Sequence, residues 1–217
     1  MGCIKLPEFK IVVSNPYAKN VVEKVKVQGD DNLKYEKEHK EGRVLPIAKL
    51  NSKLAEKLGV KDSVLLLRFK GEAGKKIKMH LRVQIDDSIE DGVVKVPTDL
   101  IAEKVGELEA EAEAMPSRAW QITLDEAKSR KFIGLRIKDE VDASIIGFKG
   151  KLVITGGSDN SGFPMRPDIP GGAKKRVLLS QPPGFRPKRK GERRRKTVRG
   201  NMITEDIVQI NTVLKLE

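Results

Sequence analysis

The sequence of residues 93–106 is VVKVPTDLIAEKVG, in which a β-branched run, a proline, a short amphipathic helix and a glycine follow one another. Residues 43–59, RVLPIAKLNSKLAEKLG, have the same order, with leucines four apart before the glycine. That spacing places apolar side chains on one helical face, and the glycine ends the helix. The helical ends, LAEKLG at 54–59 and IAEKVG at 101–106, agree closely. The repetition predicts a pseudo-symmetric β-barrel module built from a duplicated half. Chance similarity between two Lys- and Glu-rich helices is the alternative.

Between and around the two halves, the alternation of side chains gives further predictions. Residues 77–85 alternate apolar with polar side chains, which predicts a half-buried strand with His80 on its solvated face. Residues 29–41 mix charges without periodicity and are predicted to be a loop or a flexible arm. Residues 108–114 alternate apolar side chains with Glu and are compatible with either a strand or a helix end.

The rest of the chain is dominated by short apolar runs separated by turn residues. Strands are predicted at 9–13, 121–124, 141–146, 151–155, 176–179 and 207–216. Short strands at this spacing favour a small barrel over a doubly wound sheet. The fold class predicted is therefore mainly β: a small β-barrel core with a second, inserted β-barrel-like module that carries short helices.

Charge is concentrated in one window of the chain. The 217 residues carry 43 Lys and Arg against 31 Asp and Glu, and the formal net charge is +12. The window 166–199 contains thirteen basic residues and only Asp168 and Glu192 as acids, so it holds +11 of that total. Massed like charges repel one another, which favours a polyanionic partner that binds here. The basic residues are Arg166, Lys174, Lys175, Arg176, Arg186, Lys188, Arg189, Lys190, Arg193, Arg194, Arg195, Lys196 and Arg199.

We interpret this window as a nucleic-acid-binding loop, and the thirteen residues as its RNA-binding candidates. Within it, the glycines and proline of residues 184–200 exclude one continuous basic helix, so an irregular loop that becomes ordered on its partner is predicted for that segment. Arginine forks suit phosphate, and the window has no helix that could enter a major groove, which favours RNA. The alternatives are a solvated basic tail and a localisation signal. Phe163 and Phe185 could stack on bases, although anchoring the loop is the commoner role.

Other classes of function find little support. Cys3 is the only cysteine and the chain has two histidines, so no internal disulfide and no convincing zinc set are expected. No stretch resembles a membrane span. Residues 155–162, TGGSDNSG, lack the Gly-Lys-Ser/Thr ending of a phosphate loop and are predicted to form a tight turn at the barrel rim. No nucleophile and base can be named. We therefore expect no cofactor, no metal, no small-molecule substrate, no membrane partner and no enzymatic activity.

Several segments together carry a family resemblance. They are FKIVVSNP at 9–16, FIG at 132–134, DEVD at 139–142, TGGSD at 155–159, GFPM at 162–165 and the basic segment up to Gly200. This combination resembles the archaeal and eukaryotic family of the sixth small-subunit ribosomal protein. The resemblance implies a β-barrel structural protein of the cytoplasmic ribosome that binds ribosomal RNA, contacts neighbouring ribosomal proteins, supports assembly and translation, and catalyses nothing.

The resemblance also predicts how the chain is divided. Residues 1–16 and 119–217 form the ribosomal core, and residues 17–118 look like an insertion where the family has a short hairpin connection. Two rivals remain. The pattern at 96–106 weakly resembles swapped-hairpin transcription factors, which would make the chain a DNA-binding regulator. The other rival is an enzyme acting on RNA that uses the basic loop to hold its substrate.

Overall fold

The computed structural model describes residues 8–60, 63–70 and 76–216, and the protein is mainly β. The fold class predicted from the sequence is confirmed. The chain forms two compact units. The first combines Met1–Ser14 with Gln121–Glu217, and the second is the continuous segment Asn15–Trp120. We call them the discontinuous unit and the inserted unit.

Thirteen strands and four short α-helices occur in the described ranges. The strands are β1 Lys10–Ser14, β2 Glu23–Asp30, β3 Ile47–Leu50, β4 Val64–Lys70, β5 Lys76–Ile85, β6 Val93–Pro97, β7 Glu109–Pro116, β8 Ala119–Thr123, β9 Glu140–Asp142, β10 Lys151–Asp159, β11 Lys174–Leu179, β12 Arg194–Arg199 and β13 Ile207–Lys215. The helices are α1 Lys37–Lys40, α2 Ser52–Leu58, α3 Thr98–Lys104 and α4 Glu126–Ser129, with 3-10 turns at Arg130–Phe132 and Ala143–Ile146.

The inserted unit is a closed six-stranded barrel in the order β2-β6-β3-β5-β4-β7. Its pairing is symmetric. The parallel pair β2–β6 corresponds to the parallel pair β5–β3, and the antiparallel pair β2–β7 corresponds to β5–β4. When the two halves are exchanged, so that β3 takes the place of β6 and β4 that of β7, the antiparallel pairs β3–β6 and β4–β7 are unchanged. This strand pairing relates the half β2-β3-α2-β4 to the half β5-β6-α3-β7.

Alternation along the strands builds the interior of this barrel. On β4, Leu65, Leu67 and Phe69 are almost completely buried, whereas the residues between them are more exposed. The apolar faces of α2 and α3 join the same cluster. Gly59 follows α2 with φ of 67°, and its N–H bonds the last turn, so the predicted glycine stop is confirmed.

The discontinuous unit contains an open five-stranded sheet in the order β8-β1-β13-β10-β9 and a separate two-stranded ribbon, β11-β12. β1 is parallel to β13, although the two are far apart in sequence. Among the described residues, the closed barrel thus lies in the inserted unit, whereas the predicted barrel core is built on a sheet with two edges. Local periodicity in the sequence predicts where strands lie. Whether a sheet closes into a barrel depends on which strands pair, and periodicity does not show that.

Four local predictions need correction or completion. Residues 155–159 belong to β10 and are not a rim turn. The predicted strand at 141–146 ends at Asp142. A 3-10 turn follows, and the carboxylate of Asp142 accepts the backbone N–H of Ser144 in that turn. The predicted loop at 29–41 contains the helix α1. The segment left open at 108–114 is part of the strand β7.

Candidate nucleic-acid interface

Most of the basic window forms a β-hairpin rather than an irregular loop. β11 and β12 pair antiparallel, from Lys174 opposite Arg199 to Leu179 opposite Arg194. This pairing leaves residues 180–193 to connect the strands. Backbone hydrogen bonding thus holds cationic side chains at fixed spacing along two strands. The predicted strand at 176–179 is confirmed within β11, whereas the prediction of an irregular loop at 184–200 is wrong for β12.

One face of the hairpin anchors it to the unit. Leu179 and Val198 are buried together with Ile169, and Val177 and Phe185 pack against them. The guanidinium carbon of Arg194 lies 5.8 Å from the centre of the Phe185 ring. Phe185 therefore anchors the connection between the strands. Of the two roles weighed for this aromatic ring, its contacts support the anchoring role.

Eleven of the thirteen predicted side chains are exposed. Lys174 and Arg194 nevertheless have acidic partners. Within the described ranges the other nine form no ion pair, so their charge is available to a polyanion. They are Lys175, Arg176, Arg186, Lys188, Arg189, Lys190, Arg193, Arg195 and Lys196.

A single acid organises the tip of the hairpin. A carboxylate oxygen of Glu192 accepts the backbone N–H of Lys188 at 2.8 Å, and its other oxygen lies 3.3 Å from a guanidinium nitrogen of Arg194. The N–H of Glu192 donates to the carbonyl of Arg189. Glu192 therefore holds the turn between the cationic residues in shape, although its carboxylate lowers the net positive charge of the tip by one.

Arg199 is buried, so it does not share the exposed surface of the other strand residues. Its Nε donates to Asp159 at 3.2 Å, one Nη donates to the carbonyl of Gly172 at 2.7 Å, and the other Nη pairs with Asp206. Burial alone would lower the pKa of Arg199, but the hydrogen bonds that it donates to the carboxylates of Asp206 and Asp159 raise it. The nitrogens of Arg199 therefore donate to other groups of this protein.

Asp159 is the buried acid at the centre of this network. Besides Arg199 it accepts the N–H groups of Ser161 and Phe163 at 3.0 and 2.8 Å, and Lys174 Nζ lies 3.1 Å from it. Burial would raise the pKa of Asp159, yet the hydrogen bonds from Phe163, Lys174 and Arg199 outweigh it, so the pKa lies below its ordinary value. Two backbone donors, one in the turn that ends the TGGSDNSG segment and one directly after it, thus bind an internal carboxylate.

Arg166, the second buried cation, fastens the start of the connection after β11. Two of its nitrogens form a bidentate pair with Asp168 at 2.8 and 2.9 Å. Its remaining donor reaches the carbonyl groups of Gln181 and Pro183 at 3.2 and 2.7 Å. Arg166 and Arg199 therefore brace the hairpin from within.

Little in the sequence distinguishes the buried cations from the exposed ones. Asp168 lies two residues from Arg166, and such local acids could have suggested a pair. Asp206 follows Arg199 by seven residues, whereas Asp159 precedes it by 40, and the fold alone brings Asp159 to Arg199. Neither a membrane-spanning helix nor a cluster of metal-ligating side chains is found in the part of the chain that the structure describes.

Comparison with known proteins identifies the family. The profile of the family described as "Ribosomal protein S6e" matches residues 112–216. The small ribosomal subunit protein eS6 of Staphylothermus marinus is 51% identical over 214 residues, which cover 97% of this chain and 99% of that protein. The eS6 proteins of Hyperthermus butylicus and Sulfolobus acidocaldarius are 50% and 46% identical over 212 residues, each covering 96% of this chain.

The chain belongs to the ribosomal protein S6e family. The resemblance seen in the sequence motifs is confirmed, and this S6e chain is a structural ribosomal protein rather than an enzyme. The matches with archaeal eS6 proteins extend over nearly the whole length, so these relatives share the segment that looked like an insertion. A solved structure, that of the rationally designed protein mkDPBB_sym1, covers 45% of this S6e chain at 17% identity with a TM-score of 0.31.

Proposed function

We propose that this protein binds ribosomal RNA of the small subunit through the exposed cations of the β11-β12 hairpin and supports subunit assembly and translation. One observation carries the proposal: nine exposed cations without acidic partners in the described ranges are held on and beside one braced hairpin. Each phosphate that they neutralise would release condensed cations, which favours binding. Neighbouring ribosomal proteins are the other partners that the family implies.

The thirteen candidate residues have different roles in this binding. The nine unpaired cations contact phosphates, Lys174 and Arg194 can do so beside their internal partners, and Arg166 and Arg199 hold the hairpin in shape. The two buried arginines cannot serve a phosphate without giving up carboxylate and carbonyl partners inside the fold.

The main alternative, a DNA-binding regulator of the swapped-hairpin type, is less well supported. It rested on residues 96–106, where Leu100 and Ile101 are buried in the barrel cluster. All six strands of that barrel come from one chain, so its closure needs no exchange with a second copy.

RNA binding at graded salt tests the proposal. In the triple variant R189Q/R193Q/R195Q, three exposed cations of the hairpin are lost. We expect weaker binding of small-subunit ribosomal RNA and a salt dependence shallower by about 0.7 to 0.9 per lost phosphate contact. Filter binding between about 50 and 200 mM salt measures both quantities.

A matched control separates a local effect from net charge. The variant K34Q/K37Q/K57Q removes three exposed lysines from the inserted unit and has the same net charge as the hairpin variant. It should keep the salt slope of the unsubstituted protein. Equal slopes in all three proteins, or tighter binding of duplex DNA than of ribosomal RNA, would overturn the proposal.

A further inference from the structure

The outer face of the inserted barrel has a cavity of about 500 Å³ beside β4, β5 and the end of β7. Four cationic side chains line it, namely Lys19, Arg68, Lys78 and Arg118, and the ring of His80 adds a titratable group. None of the described residues that line it is acidic. The cavity is therefore a positively charged recess in a unit whose charges nearly balance, with 20 basic and 19 acidic residues in total.

The strand register brings two of these cations together. Arg68 on β4 lies directly opposite Lys78 on β5, and on its other side it lies opposite Glu113 on β7. Like charges that face each other across strands are destabilising. Glu113 is 3.3 Å from one Nη of Arg68, and the buried Nε of Arg68 has no acceptor among the described residues. An anion in the cavity would relieve the repulsion between Arg68 and Lys78.

A neighbouring cavity shows that this arrangement is not general on the barrel. It measures about 440 Å³ and is also lined by Arg68, together with three lysines. Four acidic residues balance them there: Glu90, Asp91, Glu111 and Glu113. Two cavities on one surface thus differ in charge, and only the first lacks acids among its described lining residues.

The cationic cavity has an apolar wall as well. Val22, Leu66 and Met115 line it, and Val22 is 56% exposed although its side chain is apolar. Ligand sites of small molecules commonly occupy about 300 to 1,000 Å³ and combine apolar walls with a few polar groups. An apolar wall beside cations suits a ligand with a flat ring system and a phosphate.

Local contacts hold the polar groups in place. The stem of Lys19 packs against Gly59, where an added Cβ would lie 3.3 Å from Lys19 Cδ. Arg118 donates to the side-chain oxygen of Asn20. The hydroxyl of Ser117 donates to the carbonyl of Ala119, so it accepts from Nδ1 of His80 at 2.9 Å.

We propose that this cavity binds a nucleotide, with the phosphate between Lys19, Arg68 and Lys78 and the base against the apolar wall. The nucleotide is either free or one unit of an RNA chain. The site lies on the inserted unit, so it does not depend on the hairpin of the discontinuous unit.

The two histidines of the chain allow a direct test on the whole protein. His80 lines the cavity, whereas His39 closes the start of α1 by accepting the N–H of Glu36 at 3.0 Å. Proton NMR of the imidazole rings should show a saturable shift of the His80 signals during titration with AMP at low salt, with His39 unchanged. The variant H80N assigns the signals.

Paired variants test the cations. In K19Q/K78Q the dissociation constant for AMP should rise about tenfold, because charge-assisted contacts to the phosphate are lost. The control K24Q/K70Q removes two lysines from the neighbouring cavity and should leave affinity within about twofold. Thermal unfolding should show that K19Q/K78Q is folded, since it removes the like charge that faces Arg68 across the strands.

The outcomes distinguish the source of the phosphate and the two sites. Saturation by AMP supports a free nucleotide, and saturation of the His80 shift by short poly-uridine but not by AMP supports an RNA chain. No saturable shift with either probe, or equal weakening in both lysine variants, overturns the proposal. The hairpin variant R189Q/R193Q/R195Q should retain the His80 response, so failure of one site is not failure of the other.

Discussion

At the scale of single residues, thirteen basic side chains that look equivalent in the sequence have opposite roles in the fold. Arg195 is exposed near the start of β12, whereas Arg199, four residues later on the same strand, is buried between Asp159 and Asp206. A buried cation is stabilising only when its partners are present. Charge density therefore predicts where a polyanion binds, but burial decides which of the charges can reach it.

The variant R199Q should lose stability. It removes the charge that compensates the buried carboxylate of Asp159, and breaking such a buried pair costs about 3 kcal/mol. Urea unfolding measures the loss. The matched variant R195Q removes an exposed cation of the same strand and should change the free energy of unfolding by no more than about 0.5 kcal/mol. Equal stability of R199Q and R195Q would refute the structural role of Arg199.

At the scale of elements, the sequence predicts those features of the fold that depend on residues a few positions apart. The alternation in β5 and the apolar face of α2 depend on neighbours a few residues away. Both predictions are confirmed, except that Leu50, the first of the three spaced leucines, ends β3 instead of lying on the helix. The extent of β10 depends instead on β13, which lies about fifty residues later. The glycines of β10 were taken for a turn because no local pattern shows that another strand passes close to them.

Gly157 allows this explanation to be tested. A Cβ on Gly157 would collide with the carbonyl oxygen of Gln209 in the neighbouring strand β13, so the backbone approach there requires glycine. The variant G157A should lose about 1 to 3 kcal/mol of stability.

The adjacent residue is the control. An added Cβ on Gly156 meets no atom within 4 Å, so G156A should change stability by no more than about 0.5 kcal/mol. Chemical denaturation of both variants measures the difference. A G157A protein as stable as G156A would mean that β10 and β13 separate at little cost.

At the scale of the whole molecule, the chain leaves one sheet, closes a barrel and returns to the strand beside its point of departure. β1 ends at Ser14 and β8 begins at Ala119, and the two strands are neighbours in the five-stranded sheet. The backbone bonds from Leu124 to Phe9 and from Asn15 to Arg118 have the register of an antiparallel pair. A short turn could therefore join the two strands directly.

We propose that the inserted unit is a separate domain, and its excision is the test. Replacing residues 15–118 by Asn-Gly, which favours a two-residue hairpin turn, should leave a folded protein, because the sheet and the braced hairpin lie in the discontinuous unit. Its RNA binding should keep the salt slope of the full chain, since the hairpin cations remain. Circular dichroism and filter binding measure the two properties. An unfolded product would show that the two units stabilise each other, and a folded product with a much shallower slope would place RNA contacts on the barrel.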